Sequence, residues 1–235
     1  MAKQLTIYTA ASLFNGRENY FNFQIVDSLE KKGYSCFFPQ RDGFEFGNLA
    51  KTLSGKLFPQ EVGGAVQNII YFLDMGIYLP RCDVVLANLD EPLDPGVDVE
   101  TCYAKLMGKF VVGFRTDARS PYGSSSDAMK GIHFFPAYQC HRFILHHMSC
   151  KTSAKAKEQL SSLVEKIESA IKDATLQEGM PEYVSSNPNI VSILKGAEIL
   201  FAKIKNIHSA ESLEEIASRY SKHKSELNLL GPKIV

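Results

Sequence analysis

Apolar residues along the first half of the chain follow two alternating patterns. Short runs of consecutive apolar residues predict β-strands at residues 4–9, 34–38, 83–88 and 109–114. Apolar residues at helical spacing predict helices at residues 17–31, 61–79 and 96–108. Uninterrupted apolar strands are typical of parallel sheets that are buried on both faces. The alternation of strand and helix therefore predicts an α/β fold with a doubly wound parallel sheet, of the flavodoxin-like or Rossmann-like class.

The segments between these elements are richer in turn residues. Residues 40–60 and 115–131 are predicted to be loops, and the first has room for one short helix. Gly33 follows two lysines and predicts the end of the first helix. The run HFFPAYQC at residues 133–140 is expected to hold a last short strand.

The character of the sequence changes near residue 150. Beyond it, Lys, Glu, Ala, Ser and Leu recur at helical spacing. This pattern predicts three helices, at about residues 153–174, 187–205 and 211–225. We therefore expect an α/β domain over residues 1–150 and a helical C-terminal extension over residues 151–235.

Composition narrows the classes of function. Lys plus Arg and Asp plus Glu both number 26, so the net charge is zero and disfavours a general nucleic-acid binder. No run approaches about 18 consecutive apolar residues, and the first residues lack the features of a signal peptide, so we expect no membrane span. The five cysteines are odd in number and form no CxxC pair, which favours a reducing, cytoplasmic location without a disulfide framework.

The most informative segment is LDEPLDPGVDVE, directly after the predicted strand at residues 83–88. It holds five carboxylates, namely Asp90, Glu91, Asp94, Asp98 and Glu100. One interpretation is a solvated acidic turn followed by the acidic first turn of a helix. The other follows from the rule that ligands bind beyond the carboxyl ends of parallel strands. Carboxylates that lie close together in a crevice repel one another, and this repulsion separates their pKa values. One carboxylate then stays ionised as a nucleophile while another holds a proton for the leaving group, as in retaining glycosyl transfer.

Three segments together resemble a known family. These are IYTAASLFNGRENYFN, FPQRDG and FLDMGIYLPRCDVVLANLDEPLDPGVDVETCYAKLMGKFVVGFRTDAR, which cover about residues 4–119. They resemble the nucleoside 2-deoxyribosyltransferases, enzymes that move a 2-deoxyribosyl group between nucleobases. The resemblance implies a 2′-deoxynucleoside and a free nucleobase as partners, at least a homodimer, and no cofactor or metal. It does not extend to the helical segment after residue 150.

The resemblance also implies catalytic roles. Glu100 matches the nucleophile that attacks C1′ and forms a covalent deoxyribosyl-enzyme, and Tyr8 matches the residue that orients its carboxylate. Asp74 and Asp94 match the pair that grips the base and helps to protonate it as it leaves. A second base then attacks C1′, so that two inversions give net retention.

Further residues are candidates for substrate binding, namely Ser12, Phe14, Asp42, Asp90, Gly96 and Asp127. Several have a second interpretation. Ser12, like Asn15, either caps the first helix or meets the sugar or a phosphate. Asp42 either forms a turn or lines the base pocket, and Asp90 either orients its neighbours or touches substrate. Asp127 takes the place of an asparagine that the family often supplies from a neighbouring subunit.

Departures from the family pattern leave other functions open. Ala10 and Ala11 replace a usual Gly-Pro, and Val97 replaces a usual threonine. One alternative is hydrolysis of deoxynucleosides or their 5′-monophosphates, for which only Arg17 offers a cation near the first turn. Another is a nucleoside- or nucleotide-binding protein without catalysis. The histidines at 141, 146 and 147 do not have a metal-ligand spacing, so we expect no metal site.

Overall fold

The computed structural model describes residues 4–123, 130–177 and 179–228. By their contacts, these residues group into two compact units. Unit 1 comprises Met1–Phe38 and Arg81–Met180, and unit 2 comprises Pro39–Pro80 and Pro181–Val235. Each unit is described by itself below.

Helices account for most of the regular structure. In chain order they are α1 (Gly16–Lys31), α2 (Pro39–Asp42), α3 (Phe46–Ser54), α4 (Pro59–Leu73), α5 (Leu79–Arg81), α6 (Pro95–Leu106), α7 (Phe134–Gln139), α8 (Ser153–Lys172), α9 (Glu182–Ser185), α10 (Pro188–Phe201) and α11 (Ala210–Leu227). A π-helical turn, Asp74–Tyr78, joins α4 to α5.

Unit 1 is built on one parallel sheet. Its described strands are β1 (Thr6–Ala10), β2 (Ser35–Phe37), β3 (Val84–Asn88), β4 (Phe110–Arg115) and β5 (Arg142–Leu145). They lie in the order β2-β1-β3-β4-β5, and every neighbouring pair is parallel. This is the flavodoxin-like order, in which the direction of winding reverses between β1 and β3. The predicted α/β fold class is confirmed.

The two faces of the sheet bury different residues. Ile7, Val84 and Leu86 point to the face covered by α1 and α8, where they form one apolar core with residues such as Leu29 and Leu163. The opposite face packs against α6, which contacts β1, β3 and β4. Alternate strand residues point to opposite faces, so Tyr8, the neighbour of Ile7, lies on the α6 side.

Unit 2 combines helices that are distant in sequence. Helices α3 and α4 pack together, and α10 and α11 pack on them. Leu49 and Leu53 of α3 are fully buried one helical turn apart. An ion pair joins Lys224 of α11 to Glu61 of α4 at 2.8 Å. The C-terminal helices α10 and α11 therefore share a core with residues that precede β3 in the chain.

Two predicted elements differ from the structure. Residues 40–60, expected to be mainly loop, contain all of α3, because the buried leucines of its apolar stripe meet α4. The expected strand at 133–140 is instead helix α7, and the last strand follows it at Arg142–Leu145. The aromatic residues that suggested a strand, Phe134 and Phe135, are 46% and 64% exposed, so a buried strand does not form there.

The predicted boundary near residue 150 falls within unit 1. Helix α8 follows that boundary, yet it belongs to the core of the sheet, whereas α10 and α11 belong to unit 2. Whether residues 1–150 and 151–235 fold as separate domains stays a prediction.

The helical stretch Pro59–Arg81 is long and apolar enough to cross a membrane, with a mean hydropathy of 1.2 over 18 residues. Half of that stretch is buried in the fold, and the core helix of a globular protein meets the same criteria. The expectation of no membrane contact stays a prediction.

The place of α8 in the sheet core has a measurable consequence. Leu163 is fully buried, so Leu163→Ala should lower the free energy of unfolding by about 2–5 kcal/mol. Leu176, in the segment after α8, is 38% exposed. Leu176→Ala should therefore lower the free energy of unfolding by less than about 1 kcal/mol. Urea unfolding of both variants measures the difference, and equally small effects would contradict the packing of α8 on the sheet.

Candidate active site

A crevice of about 290 Å³ lies at the carboxyl ends of β1, β3 and β4. Its position agrees with the rule that ligands bind where the strand order of an open α/β sheet reverses. The residues that line it follow those strands or begin the helices after them. They are Ser12, Asn15, Arg17, Glu18, Phe21, Asn88, Asp90, Glu91, Pro92, Asp94, Thr116, Asp117 and Arg119.

The β1 side of the crevice is shaped by the start of α1. Asn15 caps this helix, since its Oδ1 accepts hydrogen bonds from the backbone N–H groups of Arg17 and Glu18 at 3.0 and 3.1 Å. The Ser12 hydroxyl donates to the Glu18 carboxylate at 2.8 Å, and the Phe14 N–H donates to the same oxygen at 2.9 Å. Asn15 is thus the cap, and the alternative role of Ser12 as a cap is wrong.

Asp90 ties the loop after β3 to the loop after β4. Its Oδ1 accepts from the backbone N–H groups of Thr116 and Asp117 at 2.5 and 3.0 Å. Its Oδ2 accepts from the Thr116 hydroxyl at 2.7 Å. With three donors on its carboxylate, Asp90 orients neighbouring segments, which was one of its two predicted roles. Contact with substrate stays a prediction.

An ion pair joins the end of β4 to the loop that follows it. Arg115, at the end of β4, is 1% exposed, and its Nε lies 3.0 Å from Asp117 Oδ2. Burial alone would raise the pKa of the Asp117 carboxyl. Hydrogen bonds from the guanidinium of Arg115 and from the backbone N–H groups of Glu91 and Arg119 outweigh burial and hold that pKa below its ordinary value. Asp117 therefore stays ionised beside the arginine.

The first turns of α6 carry three predicted residues. Asp94 caps the helix, because its Oδ1 accepts from the N–H groups of Gly96 and Val97 at 2.7 and 3.3 Å. Glu100 lies one and a half turns further on. The Tyr8 hydroxyl donates a hydrogen bond of 2.7 Å to Glu100 Oε1. Tyr8 is fully buried in β1 and Glu100 is half-buried, so the carboxylate is held against the sheet.

Asp98, on the same helix, has a different environment. Its Oδ1 is buried and has no hydrogen-bond partner among the described residues. Burial raises the pKa of this carboxyl, His133 lowers it, and the carboxylates of Asp94 and Glu91 raise it further. Asp98 is therefore easier to protonate than an exposed aspartate.

Two predicted residues lie in unit 2. Asp74 begins the π-helical turn, and its Oδ1 is buried without a hydrogen-bond partner among the residues described. Burial raises the pKa of Asp74 to about 7. Asp42 ends α2, pairs with Arg41 at 2.9 Å, and accepts a hydrogen bond from the Tyr78 hydroxyl through its carbonyl oxygen.

The crevice contains some of the predicted residues and not others. Ser12, Asp90 and Asp94 line it, whereas Tyr8, Glu100, Gly96 and Phe14 are not among the described residues of its lining. Phe14 is 80% exposed. Asp127 lies outside the described residues. The catalytic and binding roles of these residues stay predictions.

Sequence reasoning assigned no role to several residues of the lining. They follow β3 and β4, and they are Asn88, Glu91, Thr116, Asp117 and Arg119. Thr116 and Asp117 directly follow β4, so the rule that ligands bind beyond the carboxyl ends of parallel strands points to them as well.

The ion pair between Arg115 and Asp117 predicts how stability depends on pH. Asp117→Asn removes the nearer of the two carboxylates beside the buried Arg115 guanidinium and leaves Glu91 Oε1 at 4.0 Å, so the free energy of unfolding at pH 7 should fall by about 1–3 kcal/mol. Because folding lowers the pKa of Asp117, its contribution is present above the ordinary pKa and is lost as the pH falls through the lowered one. The gap between wild type and variant should therefore narrow at pH 3 in urea unfolding. An equal gap at both pH values would contradict the ion pair.

Comparisons with known proteins found one matching family and a similar solved structure. The model of the nucleoside 2-deoxyribosyltransferase family matches residues 7–134. The chain is similar in structure to the CMP N-glycosidase BcmB of Clostridium botulinum, with a TM-score of 0.38 and 14% identity, over 68% of this chain and 98% of that one. No curated protein sequence matches. Members of the matched family are glycosyltransferases or N-glycosidases that act on nucleosides or nucleotides. Since the family model spans more than half of its residues, the chain belongs to the nucleoside 2-deoxyribosyltransferase family.

Proposed function

We propose that the protein transfers a 2-deoxyribosyl group between nucleobases, with Glu100 as the nucleophile. The observation that supports this most directly is the 2.7 Å hydrogen bond from the Tyr8 hydroxyl to Glu100 Oε1. A buried tyrosine on a central strand restricts the carboxylate to one orientation, and a hydrogen bond to a charged acceptor is stronger than a neutral one. An oriented carboxylate is what nucleophilic attack on an anomeric carbon requires.

The reaction has two displacements. In the first, a carboxylate oxygen of Glu100 forms a bond to C1′ as the bond from C1′ to the base nitrogen breaks. The leaving base takes up a proton from an acidic side chain, and the family resemblance implies this role for Asp74 and Asp94. In the second, the nitrogen of another base attacks C1′, the bond to Glu100 breaks, and the proton returns to the acid. The positive charge that develops on the sugar is stabilised by the adjacent carboxylate.

The charge of the crevice favours an uncharged nucleoside as the substrate. Five carboxylates line it, and the guanidinium groups in the lining are those of Arg17 and Arg119. The carboxylates are those of Glu18, Asp90, Glu91, Asp94 and Asp117. A phosphate dianion would meet net negative charge in this crevice, whereas the hydroxyl groups of a sugar can donate to carboxylates.

A second candidate function is hydrolysis of deoxynucleoside 5′-monophosphates. Arg17 and Arg119 favour it, since both are exposed and line the same crevice. Arg17 also lies in the first turn of α1, where backbone N–H groups attract anions. In this reaction water replaces the second base.

The proposed nucleophile is tested with thymidine as the donor and free adenine as the acceptor, followed by chromatography. Glu100→Gln should reduce formation of deoxyadenosine by about 10³-fold or more. Tyr8→Phe should reduce it by about 10- to 100-fold, because a hydrogen bond to a charged group contributes about 1.5–3 kcal/mol. Mass spectrometry of the protein with thymidine alone should detect one added deoxyribosyl unit, which Glu100→Gln lacks.

The controls use the same substitutions at exposed positions. Glu165→Gln on α8 and Tyr20→Phe on α1 should keep full activity. Release of thymine without adenine, or turnover of the monophosphate alone, would support the hydrolase instead. If wild type and Glu100→Gln are equally inert toward nucleosides and monophosphates, the catalytic proposal is wrong and a binding protein is the better description.

The role of Asp74 predicts a pH dependence. Since its pKa is raised to about 7, the carboxyl is mostly protonated below that pH and can donate to the leaving base. The value of kcat should therefore fall as the pH rises through about 7. Asp74→Asn should lower kcat at pH 6 and abolish this alkaline fall, whereas Asp27→Asn on the exposed face of α1 should change neither. If kcat of Asp74→Asn still falls as the pH rises through about 7, Asp74 is not the proton donor.

A further inference from the structure

Helix α10 packs directly on the turn that carries Asp74. The family match ends at residue 134, so α10 lies outside it. Within unit 2, α10 contacts both α4 and the π-helical turn Asp74–Tyr78. The matched region accordingly accounts for only part of how this turn is held.

Two buried glycines allow this close approach. A Cβ atom on Gly196 of α10 would lie 2.2 Å from Cε1 of Phe72, which is two residues before Asp74. A Cβ atom on Gly76 would lie 2.4 Å from Cβ of Ala197 and 3.1 Å from the carbonyl oxygen of Ile193. Real Cβ atoms do not approach other atoms so closely, so a larger residue must displace its neighbours. At Gly196 it must displace the buried ring of Phe72 on α4, and at Gly76 it must displace Ala197 of α10.

The turn itself has an irregular backbone. It is π-helical, and the N–H of Leu79 bonds to the carbonyl oxygen of Asp74 five residues earlier. Single π-helical turns are less stable than α-helix and occur often at functional sites. The turn is tied down at its other end by the hydrogen bond from the Tyr78 hydroxyl to the carbonyl oxygen of Asp42. The C-terminal segment after residue 134 adds a further contact to the turn, the packing of α10 against it.

Charged groups on the surrounding helices have other partners or point outward. On α10, Lys195 and Glu198 are exposed, and Lys195 pairs with Glu226 at 3.0 Å. On α4, Glu61 pairs with Lys224 of α11. On α2, Arg41 pairs with Asp42. Burial is the cause of the raised pKa of Asp74, so packing rather than a neighbouring charge governs its titration.

We propose that α10 positions Asp74, with Gly76 and Gly196 as the positioning residues that let the helix hold the π-helical turn and keep the carboxyl buried. The glycines act through this packing and do not touch the substrate. The functional meaning of the contact rests on the proposed function, because that proposal gives Asp74 its chemical role.

The test follows the titration of the Asp74 carboxyl directly. The full-length protein is labelled with carbon-13 at aspartate side-chain carboxyl groups, and Asp74→Asn identifies the signal of Asp74 in the NMR spectrum. Gly196→Ala should lower the pKa of Asp74 by about one unit or more from about 7, because separation of the helices admits water. The alkaline fall of kcat should move to lower pH by the same amount, with a smaller change in KM.

Matched controls come from the helix that precedes the turn. Gly63 and Gly64 of α4 are exposed, and a Cβ atom on either would meet nothing within 4 Å. Gly63→Ala and Gly64→Ala should therefore leave the titration of Asp74 unchanged. A rescue is also available, since adding Phe72→Leu to Gly196→Ala removes the ring that the new methyl group meets and should return the pKa toward about 7.

A milder variant covers the case in which Gly196→Ala does not fold. Ala197→Gly removes the methyl group that faces Gly76 and should shift the titration in the same direction by a smaller amount. If folded Gly196→Ala or Ala197→Gly titrates like wild type, α10 does not position Asp74 and the inference is wrong. The NMR titration needs no turnover, so an inert wild type would overturn the proposed function and still leave this inference tested.

Discussion

The hydrogen bond between the Tyr8 hydroxyl and Glu100 fixes the geometry on which the candidate site depends. Tyr8 is on β1, a strand with hydrogen-bonded neighbours on both sides and a fully buried side chain. Glu100 is on α6, and the buried residues of that helix, Val97, Thr101 and Ala104, lie on the side that packs against the sheet. The carboxylate is thus held between two rigid elements rather than on a loop. Sites built in this way keep their reacting groups in place with little loss of entropy on binding.

The carboxylates described above divide into two kinds. Those of Asp90, Glu18 and Asp117 accept hydrogen bonds from neighbouring backbone or side-chain donors, and these bonds shape the loops of the crevice. Asp74 and Asp98 each have a buried oxygen without a hydrogen-bond partner among the described residues, and burial raises both pKa values. The acidic segment that stood out in the sequence therefore contains a carboxylate that ties two loops together, Asp90, and one whose pKa burial raises, Asp98.

Local sequence signals predicted the elements that depend on local physics. The apolar runs of β3 and β4 and the stop of α1 at Gly33, which has a φ of 94°, were predictable because burial and a left-handed backbone leave clear patterns. The contacts of Asp90 with Thr116 and Asp117 span 26 and 27 residues. Nothing in either segment alone specifies such a pairing, since the order of the strands creates it.

The same limit applied to the helices after residue 150. Their apolar stripes predicted α8, α10 and α11, but a stripe does not specify which surface it will cover. Helix α8 covers the sheet, and α10 covers α4 and the π-helical turn. The resemblance of the first half of the chain gave no guidance, because the family model ends before these helices begin.

Unit 2 is assembled from two stretches of chain, Pro39–Pro80 and Pro181–Val235, with much of the sheet encoded between them. During synthesis, α4 and the π-helical turn leave the ribosome long before α10 exists. Domains fold as units during translation, and closing a long loop costs chain entropy before its contacts form. The sheet can gather its strands early, whereas the surroundings of Asp74 are completed only after α10 and α11 have emerged. A chain that ends between α8 and α10 would therefore contain every described strand of the sheet and only part of the helical unit.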